Sequence, residues 1–404
     1  MNSPQKTNIY DKALLLLFAS LFAGNLSGIL LLPRTFSFLL IPLILGTPGK
    51  SAMPKKPQKL LWVWLLWSVL SLTFTPDLSE GVLQLVLLFT NILLAYEILF
   101  FAKLSKQPLY IIALGWLIAI TINNIVGVWE ITTDNHLPVS KFGSEHELII
   151  DGRAVMMHYA NGFFSNYNAF VTFTCCAFPF LYYLVFNAKK KSIRYVSFVN
   201  LMVSVYTIFM DASRGGFLSM LVISAVYLFG LIKIRGSRLG YLLVFGILIV
   251  FVFVFWDTLS ALIVGRQSNI SSIEEEARYT VWSRCFKVFM GTFGIGSGIG
   301  GLTISMEKIA GKGAVLAPHN AFLEILVQYG VIVFFFFLNF LRSIYINTKK
   351  YITPGNVVIY ASFFALPFIF IINSVYLKNP FFWAFLMSLF VFSDVKCKTN
   401  SKRK

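Results

Sequence analysis

Charge is what this 404-residue sequence lacks. Asp, Glu, Lys and Arg make up 13% of it, about half their share in an ordinary soluble domain, whereas 57% of the residues are apolar and the mean hydropathy is +0.75. Such a composition excludes a soluble globule. Acidic residues are scarcer than basic ones, 17 against 34, and the net charge is +17. The basic residues sit in short clusters between apolar runs rather than along one soluble face, so they read as topology signals beside an anionic membrane leaflet and not as a nucleic-acid footprint. Cysteine is rare as well: Cys175 and Cys176 lie inside an apolar run, Cys285 stands alone and Cys397 is in the basic tail, which excludes a disulfide framework. The four histidines, His136, His146, His158 and His319, are irregularly spaced and lack a cysteine partner or an i, i+4 pair, so no metal is expected. Gly49-Lys50-Ser51 ends like a phosphate-binding loop, but Ile44 stands where that motif needs glycine. No serine or cysteine sits in a nucleophile elbow.

What is present is a series of apolar runs, at about 13–31, 35–47, 60–76, 82–102, 109–131, 162–187, 193–211, 216–233, 239–263, 320–345, 356–375 and 380–393. Lys6 and Lys12 ahead of the first run resemble a signal peptide, yet no small-residue cleavage site follows, and the run reads as the first membrane helix. The first two runs are tight for two spans and the last is short, so these are alternatively tilted, re-entrant or broken helices.

Every second run ends in a basic cluster: Lys55, Lys56 and Lys59; Lys103 and Lys106; Lys189 to Lys191 with Arg194; Lys233 and Arg235; Arg342 and Lys349; and the C-terminal tail. The intervening segments carry Asp77, Glu80, Glu130, Asp134, Glu145, Glu147 and Asp151. The charge bias therefore predicts an all-α polytopic protein of about 12 transmembrane helices with both termini cytoplasmic. Two segments on the other side are long enough to build a site: 132–161, and a larger loop, 264–318, between the ninth and tenth helices. All four histidines fall on this side.

Arg214, in Asp211-Ala-Ser-Arg214-Gly-Gly, stands at the outer end of the seventh span, against the charge bias. Its bland explanation is a local pair with Asp211, and its functional one is that an arginine near the hydrocarbon boundary marks a site. Glu274 to Arg284 reads as an amphipathic interfacial helix, with Trp282 and Phe286 anchoring one apolar face and Arg278 either solvated or functional. In Pro318-His319-Asn320, Asn320 is placed to cap the tenth span, and the helix N-terminus favours a neutral His319 able to take a proton. Gly294 to Gly301 resembles a dinucleotide loop but has no βαβ unit around it, and reads as a flexible loop. Two arginines and a neutral histidine at one surface suit transfer of a group off a diphosphate, because guanidinium forks match phosphate oxygens and remain charged.

At these residues the chain resembles the O-antigen ligase and polymerase family. The likeness lies in Ser213-Arg214-Gly215-Gly216, in Ala277-Arg278-Tyr279, in Gly294 to Gly301, in Pro318-His319-Asn320 through Glu324 to Gly330, and more loosely in Gly162-Phe-Phe-Ser-Asn166-Tyr-Asn168. The resemblance implies an inner-membrane enzyme that moves glycans from undecaprenyl diphosphate on the periplasmic face. Arg214 and Arg278 would grip the diphosphate and His319 would activate the acceptor hydroxyl. Arg153, Arg284, Asn320, Asn168 and Asp211 would make secondary contacts. Neither cofactor, metal nor nucleotide is implied. The acceptor would be lipid A-core for a ligase, a growing glycan for a polymerase, or a protein hydroxyl. A flippase of lipid-linked sugars, the rival of a different class, should place polar residues near mid-membrane, whereas this sequence gathers them at one surface.

Overall fold

The computed structural model describes residues 8–24, 31–47, 54–139, 145–150, 153–235, 271–311, 317–349 and 353–401. Eleven of the apolar runs coincide with helices: α1 (Ile9–Ala19, extended by a 3-10 turn at Ser20–Phe22), α2 (Leu32–Leu45), α3 (Lys55–Ser71), α4 (Leu78–Leu104), α5 (Pro108–Thr133), α6 (Tyr167–Asn187), α7 (Lys191–Met210), α8 (Arg214–Arg235), α11 (Ala321–Lys349), α12 (Pro354–Ile369) and α13 (Pro380–Ser401). The large loop adds α9 (Ser271–Gly291) and α10 (Leu302–Ala310). The remaining run, 239–263, lies outside the described residues.

Local sequence explains the helix starts. Asn8 and Asp11 form a reciprocal capping box on α1, Asp77 caps α4 through the N–H groups of Ser79 and Glu80, and Pro108 and Pro354 open α5 and α12, where their missing N–H costs nothing. Among the described residues six helices, α4 to α8 and α11, are long and apolar enough to cross a membrane, so the chain is a multi-pass membrane protein.

Cross-links between helix ends give each helix its direction. At one end Asn8 donates to the Leu104 carbonyl at 3.0 Å, Asp11 accepts from Ser105 and Lys106, and Asn356 donates to the Thr348 carbonyl at 3.1 Å. At the other end Glu130 of α5 bonds the chain entering α6, Asp211 ahead of α8 bonds Ala160 of that chain, and Ala321 of α11 and Glu80 of α4 bond the segment that follows α12.

One unexpected element is an antiparallel hairpin in the 132–161 segment, β1 (Glu145–Ile150) with β2 (Arg153–His158). Its register pairs Ile150 with Arg153 and leaves two residues, Asp151-Gly152, between them, a short-range hairpin signal within the segment expected as a loop.

The segment joining α12 and α13 enters the bundle rather than covering it. Phe370, Ile372, Asn373, Tyr376 and Leu377 are all buried. Asn91, well inside α4 and about 20 Å along its axis from Asp77, donates to the Leu377 carbonyl at 3.0 Å, and Arg34 donates to that of Lys378 at 2.7 Å. The short last run is thus half of a broken pair, and its irregular backbone survives because protein groups satisfy it.

Two sequence expectations need correction. Polar groups are not confined to one surface: Glu97 is buried within α4, and Asn124 of α5 bonds Asn200 and Ser204 of α7 inside the bundle. Nor is Gly294 to Gly301 a loose loop. α11 breaks at Gly330 (φ 74°), and the glycine segment takes over the hydrogen bonds lost there: Ser297 and Gly298 donate to the carbonyls of Val327 and Gln328, and Val331 donates to that of Gly294. A Cβ at Gly330 would lie 2.0 Å from the Ile295 carbonyl oxygen, and one at Gly296 2.5 Å from the Gly330 nitrogen. Only glycine allows this approach.

Candidate functional site

The junction of α7 and α8 carries the first of the expected residues. Asp211 ends α7, Ala212 takes a left-handed turn (φ 47°), and Ser213 caps α8 by accepting the Gly216 N–H at 3.3 Å, so Arg214 is the first helical residue and is half-buried. The Asp211 carboxylate accepts the N–H of Ala160 at 2.7 Å, which ties α7 to the chain leading into α6. Burial pushes this carboxyl well above the usual carboxylate range; the Ala160 hydrogen bond opposes the rise and the nearby charge of Glu130 adds to it. Asn168, half-buried in the first turn of α6, lies one turn ahead of Val171, against which Gly216 packs so closely that a Cβ there would meet Val171 at 2.4 Å.

His319 is the second centre. It adopts φ 47°, a strained conformation for a residue with a side chain, and strain of this kind concentrates at functional sites. Asn320 caps α11 as expected, its Oδ1 accepting from Phe322 at 2.9 Å and Leu323 at 3.2 Å. Trp282 of α9 donates its indole N–H to the Pro318 carbonyl at 2.8 Å, which joins the helix bearing Arg278 to the histidine segment. Arg278 is exposed and lies one turn before Trp282 on the same face. Arg284, half-buried two residues after Trp282, points to a different face.

One turn of chain connects the two centres. Ala321 donates to the Phe370 carbonyl at 2.9 Å, while Gly215 packs on Ile372, where a Cβ would lie 2.9 Å from its side chain. The segment from Phe368 to Ile372 therefore has the start of α8, with Arg214, on one side and the start of α11, with His319, on the other. Arg153 stands apart: its backbone closes the hairpin turn, about 17 Å along β2 from His158.

The helix expected on α9 exists, but its packed face differs. Val281, Cys285 and Val288 are buried against Leu302, Met306 and Val327, whereas Phe286 is 56% exposed. The i, i+4, i+7 row packs against the protein, which leaves Phe286 free to face the bilayer surface.

Two holding groups were not anticipated. Glu130, in the last turn of α5, accepts the N–H groups of Asn161 and Gly162 at 2.7 and 2.6 Å, and Asn123 accepts that of Phe163 at 3.1 Å. Glu324 accepts the N–H of Tyr376 at 2.8 Å and that of Leu377 at 3.4 Å. An acidic residue inside an apolar helix is the signal that marks both.

A multi-pass helical membrane protein that places an arginine at one helix N-terminus, a strained histidine at another, and a third N-terminus beside them has an end fitted to anions, because unpaired N–H groups and helix dipoles favour negative charge there. The family model described as O-antigen ligase matches residues 199–338, about a third of the chain, from α7 to α11, and so includes Arg214, Arg278, Arg284, His319 and Asn320. The chain is also 24% identical over 345 residues to the teichuronic acid biosynthesis protein TuaE of Bacillus subtilis (strain 168), covering 80% of this chain and 68% of that one. These matches support the likeness to the O-antigen ligase and polymerase family that the motifs carry.

Proposed function

We propose that the protein is a glycosyltransferase that moves an O-antigen-type glycan from undecaprenyl diphosphate to a lipid A-core acceptor, at the periplasmic face of the bacterial inner membrane. The observation that carries this reading is the turn from Phe368 to Ile372, which has Arg214 and His319 at the helix starts on either side. Arg214 and Arg278 stabilise charge on the departing diphosphate through bidentate contacts, and His319, held neutral at a helix N-terminus, takes the proton of the acceptor hydroxyl as it attacks the anomeric carbon. The sugar–phosphate bond breaks, the new glycosidic bond forms with inversion, and the diphosphate leaves as an anion already matched by guanidinium groups. Arg284, Asn320 and Asn168 are secondary contacts, and Arg153 would act from the hairpin. Neither cofactor nor metal is assigned. α9 lies along the membrane surface.

A second reading, polymerisation of lipid-linked repeats by the same chemistry, is favoured by the relative named for teichuronic acid biosynthesis. A deletion strain separates the two on a glycan gel. Loss of all capped lipopolysaccharide supports the ligase, single-repeat caps support the polymerase, and an unchanged profile overturns both.

A further inference from the structure

His136 takes no part in the reading above and lies outside the family match, yet its surroundings are those of a working imidazole. It follows the end of α5, where its Nδ1 stands 3.2 Å from Oε1 of Glu130. The other oxygen of that carboxylate is fixed by the backbone of Asn161 and Gly162, so the pair is held rigidly. A carboxylate on Nδ1 keeps the proton there and leaves Nε2 as a lone-pair acceptor. Asn161, whose amide nitrogen is 3.3 Å from Nδ1, accommodates this tautomer by an end-for-end turn of its amide, which leaves its shape unchanged. His136 Nε2 is itself buried and has no hydrogen-bond partner among the described residues, while the side chain as a whole keeps 14% of its surface. Polar atoms of this kind are costly unless something donates to them.

The pair also sits beside the proposed site. The segment that Glu130 grips continues back to Ala160, whose N–H is held by Asp211, three residues before Arg214. A lone pair backed by the Glu130 carboxylate repels phosphate oxygens and favours an O–H donor. We propose that His136, with its tautomer set by Glu130, binds a hydroxyl group of the sugar acceptor. This rests on the glycosyl-transfer reading and adds an acceptor contact to it.

The test uses the full-length protein in nanodiscs and two probes from the deletion strain: its accumulated lipid-linked glycan as donor and its envelope lipid extract as acceptor, titrated separately. His136→Ala should raise the acceptor KM roughly tenfold, the worth of one hydrogen bond, while the donor KM stays within about twofold. His136→Gln, which places an amide near the position of Nε2, should recover part of the loss. Glu130→Gln should raise the acceptor KM by itself and add little in the His136→Ala background. A wild-type acceptor KM in His136→Ala, or equal rises for donor and acceptor, overturns the assignment. Histidine 15N spectra give a readout independent of turnover. His136 should carry its proton on Nδ1, and its Nε2 resonance should move when the acceptor extract is added. The opposite tautomer, or an Nε2 signal indifferent to the extract, overturns the proposal. If the wild-type protein transfers nothing, the glycosyl-transfer reading falls, and the spectra alone decide the fate of His136.

Discussion

The two sides of the polar end are built by the same device and differ in what they hold. On the α11 side, Glu324 reaches from inside a membrane helix to grip the backbone of Tyr376 and Leu377, and Trp282 fixes the carbonyl before His319. On the α8 side, Glu130 and Asp211 grip the backbone of Ala160, Asn161 and Gly162. In both, buried carboxylates serve irregular chain that lipid cannot satisfy. The α11 side holds the strained histidine itself, whereas the α8 side holds the approach to α6 and α8 and only indirectly Arg214. Loss of a group on the first side should therefore damage chemistry first, and loss on the second should damage binding and folding first.

The sharpest break in that comparison is His319→Ala, which should lower glycan transfer by roughly 10³-fold, within the usual reach of general base catalysis, while the protein still inserts. A fully active variant would remove the base from the mechanism. Arg214→Lys should follow with a loss of roughly 10²-fold, since an ammonium cannot reproduce a bidentate fork, and Arg278→Lys should lose less because Arg278 is exposed. Equal rates in wild type and both lysine variants, measured with the same donor extract, would end the diphosphate-clamp assignment.

Removal of the gripping carboxylates comes next. Glu130→Ala leaves two N–H groups, bonded at 2.7 and 2.6 Å, without their acceptor, at a cost on the order of 3 kcal/mol. Glu324→Ala abandons one short bond and one long one and should cost on the order of 2 kcal/mol. Thermal unfolding in detergent, read as the loss of folded protein, checks the order. A larger loss for Glu324→Ala would mean that the segment from Phe370 to Asn379, not the approach to α6, is the stabilising half.

How far the sequence discloses all this depends on the physics behind each element. Helix positions are legible because apolar length and caps such as Asp77, Asn166 and Asn320 are local signals. The charge bias predicts an alternation of direction, because a basic cluster recurs at every second run. Arg214 and His319 stand out because each breaks a local rule, one of charge and one of punctuation. Glu130 and Glu324 stand out only as acidic residues in apolar helices; what they hold is not legible, because their backbone partners lie 31 to 53 residues away and no local pattern encodes such a pairing. The hairpin has a local signal in Asp151-Gly152, between the two paired strands. The depth of the segment between α12 and α13 was not legible, since it depends on Asn91 and Arg34 reaching it from distant helices.

The smallest effect tests the face of α9. Val288 is buried at 4% exposure among Leu302, Met306 and Val327, so Val288→Ser removes apolar contacts and places a hydroxyl in that cluster, at a cost of about 2 kcal/mol. Phe286 is 56% exposed, and Phe286→Ser should change folded-state stability by less than about 0.5 kcal/mol in detergent. If α9 rests on the bilayer, Phe286 meets lipid, and the same substitution should weaken retention of α9 at the membrane surface, read as increased quenching of a fluorophore on Ser283 by an aqueous quencher. Equal destabilisation by the two substitutions would place both residues in one packed face and restore the pairing of Trp282 with Phe286. Unchanged quenching would show that the exposed aromatic row faces water, and that α9 is held by α10 and α11 alone.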